Sequence, residues 1–143
     1  MAVQKYDTVI ANGRVIDPSL GFVSEAHVFI RDGKISAVEK DSPASRKLVK
    51  SLEKSQVINA DGKLVTPGLI DVHVHLREPG REDAETIETG CRAAAAGGFT
   101  AVCCMPNTQP RIDNQETVKF VQDRAKSADA HVYVVGAITK NLD

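Results

Sequence analysis

The chain has 143 residues, with 18 Lys+Arg against 19 Asp+Glu and a formal net charge of −1. That balance excludes the basic excess of a nucleic-acid binder and the acidic excess of a solvated tail, and 42 % apolar residues exclude disorder. The longest weakly polar run, Ala93 to Met105, is broken by glycines and falls short of the roughly 20 apolar residues a membrane span needs. The opening Met-Ala-Val-Gln-Lys-Tyr-Asp has no apolar h-region, which argues against a secretory leader. Adjacent Cys103 and Cys104 would point to opposite faces of a strand. They argue against a disulfide framework and for a reducing, cytoplasmic location.

Up to Thr66 the chain reads as short strands and turns. Tyr6 to Ala11 predicts a strand, Asn12-Gly13 a tight turn, and Arg14 to Ile16 a second strand ended by Asp17-Pro18. Ala26 to Arg31 and Lys34 to Val38 flank Asp32-Gly33, which suits a type I′ hairpin. Alternation puts Val28 with Ile30 on one face and Ile35 with Ala37 on one face. Glu39 to Lys54 predicts a surface loop with some helix. Gln56 to Asn59 and Lys63 to Thr66 flank Asp61-Gly62, a second hairpin signal.

After Pro67-Gly68 the grammar changes. Leu69 to His75 predicts a strand, and Arg81 to Ala96 a helix whose Glu82, Asp83 and Glu85 favour its N-terminal dipole end. Ile87, Cys91, Ala94 and Ala95 give that helix a 3.6-period stripe, and Gly97-Gly98 ends it. Thr100 to Met105 is an apolar strand of the kind covered on both faces. Asp113 with Glu116 offers a capping box for a second helix over Asn114 to Ser127, with Val118, Val121 and Ala125 inward. His131 to Ile138 predicts a third strand. Alternating strands and helices imply a parallel sheet. A closed (β/α)₈ barrel takes about 250 residues, so the stretch after Pro67 suffices for about two and a half of its units. The chain is then either part of a barrel or a small open sheet.

Asp71-Val72-His73-Val74-His75 carries the most chemistry. On a strand these alternate, so Asp71, His73 and His75 share a face, and two imidazoles with Cα atoms about 7 Å apart can converge on one cation such as Zn²⁺. A hydrogen-bonded polar pair is the other reading of His73 and His75. Burying two imidazoles and a carboxylate without partners costs several kcal/mol, which a metal would offset. Arg77 follows just past the carboxyl end of the strand, where α/β barrels keep their chemistry. Asn107, in Met105-Pro106-Asn107-Thr108, closes the next strand at the same mouth. A guanidinium fork beside an amide donor suits a small acidic substrate. Asn107 also reads as an ordinary βα-turn residue, and Asp71 as either an orienter of the imidazoles or a turn acceptor. His27 and His131 read as structural or solvated, and Cys103 and Cys104 as core side chains.

Val65 to His75 is similar to the first barrel strand of the metal-dependent amidohydrolases. His75-Leu76-Arg77-Glu78-Pro79-Gly80, Glu85-Thr86-Ile87-Glu88-Thr89-Gly90, Ala93 to Thr100 and Met105-Pro106-Asn107-Thr108 together resemble the dihydroorotases that carry H-L-R-x-P-G and M-P-N-T signatures. Allantoinases and hydantoinases, which share the H-x-H, generally lack the Arg or the Asn-Thr. The resemblance implies an α/β chain in two parts. Residues 1–66 would be the β-rich segment of a composite β-sandwich-like domain, and 67–143 the first two to three units of a TIM-type barrel, incomplete in this chain. It implies one or two Zn²⁺, with His73 and His75 as metal ligands and Arg77 and Asn107 on the substrate carboxylate. The implied reaction is reversible cyclisation of N-carbamoyl-L-aspartate to L-dihydroorotate in pyrimidine biosynthesis. The other ligands and a general-base Asp are expected beyond residue 143, and the 143-residue chain alone is expected to be inactive. Partners would be that small molecule, with no nucleic acid and no membrane, and with a homo-oligomer or an aspartate transcarbamoylase association open. A different cyclic amidohydrolase, or a non-catalytic scaffold for a partner enzyme, are the competing readings.

Overall fold

A computed structural model describes residues 6–140. The opening residues 1–5, read above as containing no leader, lie outside it. The chain divides into two compact units, residues 1–67 and 68–143.

The first unit is a mixed sheet. Strand β1 (Thr8–Asp17) pairs antiparallel with β2 (Phe22–Arg31), which pairs antiparallel with β3 (Lys34–Lys40). The expected turn at Asn12-Gly13 is instead a bulge inside one continuous strand, since the β1–β2 register shifts between Ile10 and Gly13. Asn12 sits at φ 58, which a polar Asn tolerates, and its displaced N–H is taken by the His27 ring at 3.1 Å. His27 is fully buried. Its Nδ1 accepts from Asn12, and its Nε2 donates to Asp41 Oδ1 at 3.2 Å, so it is a structural histidine. Arg46 grips Asp41 from outside, and that hydrogen bond holds the Asp41 carboxyl below its ordinary range.

The Asp32-Gly33 hairpin forms as expected, with φ of 51 and 69. Val28 and Ile30 pack in one cluster with Val15 and Ala26, whereas β3 shifts register so that Ala37 faces Phe29 and Ile35 faces Ile30. Ile35 and Ala37 therefore do not share a face. Helix α1 (Pro43–Lys50) is the helix expected within the Glu39–Lys54 loop, and it forms because Ser42 accepts from Ser45 N at 3.1 Å and Pro43 opens the first turn. Its Leu48 and Val49 pack on Tyr6, Val9, Ala11 and Phe29.

The second hairpin does not form. Strands β4 (Val57–Asn59) and β5 (Leu64–Val65) each run parallel to β1, at Val9–Ala11 and Arg14–Val15. The Asp61-Gly62 turn bulges out between them, alongside the β1 bulge, and Gly62 N–H donates to Asn12 O at 2.7 Å. A side chain at Gly13 would place Cβ 2.5 Å from Val65 Cγ2 and 3.2 Å from Ala60 Cβ. Gly13→Val is therefore expected to lower stability by about 1–3 kcal/mol through overpacking, read as a lower midpoint in chemical denaturation.

The second unit is a three-stranded parallel sheet in the order β6 (Leu69–Val74), β7 (Phe99–Cys104), β8 (His131–Val134). Helices α2 (Ile87–Ala96) and α3 (Gln115–Ala125) pack on one face through Ile87, Cys91 and Ala94, and through Val118, Val121 and Ala125, against Val74, Val102, Cys104, Val132 and Val134. Ala95, expected in the stripe, is exposed. The other face is open at Ile70 and Tyr133, so β7 is covered on one face rather than two. In a closed barrel that face is the packed interior. β8 ends at Val134, short of the expected Ile138.

Both helices start later than expected. α2 opens at Ile87 rather than Arg81, because Thr86 caps it, its hydroxyl accepting from Thr89 N at 3.1 Å. Glu82 and Asp83 serve the preceding loop instead, accepting from Gly80 N and pairing with Arg81. Asn114, not Asp113, caps α3 by accepting from Thr117 N at 3.0 Å. Gly98 ends α2 at φ 84. No helix among the described residues is long and apolar enough to cross a membrane.

Candidate functional site

Val74 and Leu76 point into the core beneath the helices. By alternation His73 and His75 project to the opposite side, at the carboxyl end of β6. Their rings lie 5.2 Å apart between centroids, inclined at 67°. Imidazoles on one tetrahedral ion, each with N about 2.0–2.1 Å from it, stand with centroids about 5 Å apart. The spacing therefore fits a shared divalent ion, although among the described residues no cluster of three or more His, Cys, Asp or Glu forms.

Asp71 does not join them. β6 shifts register against β7 between Asp71 and Val74, one extra residue that reverses the alternation. Asp71 consequently lies with Val74 and Leu76 along a cavity under α2, and its Oδ1 accepts the His73 backbone N–H at 3.0 Å. Of the two readings of Asp71, turn acceptor is the one formed.

β7 continues the mouth. Met105 N–H donates to Val74 O at 2.9 Å, which carries Asn107 alongside His75. The side chains meet, with His75 Nδ1 donating to Asn107 Oδ1 at 2.8 Å. An amide oxygen only accepts, so Nδ1 carries the proton and Nε2 presents a free lone pair.

Arg77 occupies a strained backbone. Its φ is 63, and Glu78 N–H bridges back to Leu76 O at 2.7 Å, a γ-turn centred on Arg77. A non-glycine residue there costs about 1–3 kcal/mol, which the surroundings must hold in place. The guanidinium is exposed and has no hydrogen-bond or ion-pair partner among the described residues.

Three residues without an expected role hold this turn and the strand-end loop beside it. Glu78 is buried; Oε2 accepts from Ile87 N at 2.8 Å at the start of α2, and Oε1 meets Arg124 Nε of α3 at 3.1 Å. Gly80, at φ 102, lets the loop touch the next one, since a Cβ there would fall 2.1 Å from Gln109 O. Thr108 is buried and bonds Pro110 O at 2.7 Å. The clue to Glu78 was an acid just past the strand end and nine residues before an apolar helix start. Glu78→Ala should destabilise by about 1–3 kcal/mol by orphaning a buried N–H, and Glu78→Gln by less because one acceptor survives; thermal unfolding of the two variants checks the order.

His131 begins β8 at the opposite end from this mouth. Cys91 and Cys104 are buried in the core, where burial raises their thiol pKa values away from reactivity. Cys103 stands opposite Tyr133, on the open side of the sheet, and is only half-buried, so of the adjacent pair Cys104 alone is a core side chain.

The same arrangement of strands and helices occurs in known structures. The fold matches the L-hydantoinase (dihydropyrimidinase) of Arthrobacter aurescens with a TM-score of 0.76 and 27 % identity, covering 93 % of this chain and 28 % of that one. A D-hydantoinase matches at 0.67 with 26 % identity, over 92 % of this chain and 28 % of that one. The class is thus the amidohydrolase fold, of which the parallel sheet here is one part of the barrel. Residues 62–141 match the family model described as Dihydro-orotase-like, and the chain belongs to that family. Curated relatives named dihydroorotase include one from Solibacter usitatus, 51 % identical over 133 residues, and one from Syntrophotalea carbinolica, 50 % identical over 135. These alignments cover 92 % and 94 % of this chain but only 29 % and 30 % of the relatives, so the chain spans about a third of their length.

Proposed function

We propose that the full-length protein is a zinc-dependent dihydroorotase of pyrimidine synthesis, interconverting N-carbamoyl-L-aspartate and L-dihydroorotate in the cytoplasm. One observation carries the reading: His73 and His75 stand ring to ring at the strand end, with Asn107 bonded to His75 and Arg77 two residues on. The names of relatives about half identical to this chain support it. His73 and His75 would hold Zn²⁺, which when bound supplies a polarised amide carbonyl and a water of lowered pKa.

This chain's own groups do the rest of the recognition. Arg77 offers two parallel N–H donors to a carboxylate, and its guanidinium is exposed and unpaired among the described residues. Asn107, its oxygen engaged by His75, still has both amide N–H donors to offer. Two donor groups at one mouth select an acid and disfavour a neutral ring. Two imidazoles fill two of the four positions of a structural or catalytic zinc. We place the remaining ligands and the general-base aspartate in sequence beyond residue 143, so these residues alone would not turn over substrate.

The test is an assay of the zinc-loaded full-length protein on dihydroorotate, allantoin and hydantoins. Turnover of dihydroorotate is expected. The match to hydantoinase structures favours a hydantoinase as second reading, and turnover of hydantoin without dihydroorotate would establish it. A zinc-free, inactive protein bound to a partner enzyme would instead make it a scaffold.

A further inference from the structure

The His75–Asn107 contact has two consequences for one side chain. Asn107 Oδ1 accepts from His75 Nδ1 at 2.8 Å across two adjacent strand ends. A hydrogen bond of that kind sets which ring nitrogen is protonated and fixes the ring's orientation. We infer that Asn107 is a positioning residue for His75 as well as a substrate contact: its oxygen holds the imidazole with Nε2 free, and its amide N–H groups are thereby left to face an anion. The inference rests on the reading of His75 as a metal ligand.

The two halves of the amide separate by substitution. In Asn107→Asp an oxygen still accepts from Nδ1, but the donors are gone and a like charge faces the substrate carboxylate. In Asn107→Ala both are lost. Asn107 is exposed, so neither change opens a core cavity. A structural role alone would not distinguish the two variants.

Zn²⁺ affinity of the full-length protein, measured by competition with a chromogenic chelator in the absence of substrate, reads the first half. Asn107→Ala should weaken zinc binding by about 10–100-fold, the usual cost of removing a ligand's orienting partner, while Asn107→Asp stays within about threefold of the parent or binds tighter. KM for dihydroorotate reads the second half, and it should rise at least about tenfold in Asn107→Asp. Parent-like zinc affinity in Asn107→Ala, or equal zinc loss in both variants, overturns the inference. Because the titration needs no turnover, zinc loss in Asn107→Ala alone would uphold the positioning role even if the protein proved inactive on dihydroorotate, a result that would overturn only the proposed reaction.

Discussion

His73→Ala in the full-length protein should lose both its zinc and its turnover. The lost ring is half of the imidazole pair seen at 5.2 Å, and among the described residues no further ligand stands in for it, since Asp71 faces the other side of the sheet. The chemistry supplied by a bound ion amounts to several kcal/mol of barrier, so kcat/KM should fall by at least about 10³-fold. The fold should persist, because His73 is exposed and outside the core that joins β6 to the helices. Metal analysis beside a steady-state assay checks both halves. Normal zinc content with lost turnover would remove His73 from the metal site, and normal turnover would remove it from the chemistry.

Arg77→Lys should raise KM for the acidic substrate by about 10–100-fold with a smaller change in kcat. Lysine keeps the charge but presents a point donor in place of a two-pronged fork, and one charge-assisted hydrogen bond is worth about 1.5–3 kcal/mol. Arg77→Gly sharpens the test. Glycine adopts φ 63 without strain, which relieves about 1–3 kcal/mol, while its own chain entropy costs about 0.5–1 kcal/mol. Stability should therefore hold or rise while substrate binding collapses. An unchanged KM in Arg77→Lys would end the carboxylate-clamp role, whereas a loss of stability in Arg77→Gly would show the turn to be held by the Arg side chain.

Periodicity proved reliable where a pattern reports only which side of an element is wet. The inward residues of α3, the Ile87–Cys91–Ala94 stripe of α2 and the Asp32-Gly33 turn all stand as read. Errors concentrated where one extra residue reverses a strand. The bulge at Asn12-Gly13 turned two expected strands into one, the β3 shift split Ile35 from Ala37, and the β6 shift carried Asp71 away from the histidines. A bulge depends on what the neighbouring strand offers to an unpaired N–H, as the ring of His27 does for Asn12, and that partner lies 15 residues away. Helix starts were misplaced for a local reason instead: Thr86 and Asn114, not the acidic residues ahead of them, cap the first turns of α2 and α3, and Glu78 adds a bond to Ile87 N from outside the helix.

The local alphabet alone was enough to place the candidate groups: imidazoles two apart on a strand, a guanidinium just beyond it, and an amide at the next strand end. These survive because they depend on alternation and on parallel strands delivering their carboxyl ends to one mouth, both consequences of backbone geometry. Only the tertiary structure decided which of those groups touch, that Asn107 belongs to His75, that Asp71 does not, and that a buried Glu78 holds Arg77 in a conformation it would not choose alone. Such choices are made by contacts between residues far apart in the chain, where hydrogen-bond partners and close packing, rather than local propensity, set the energy.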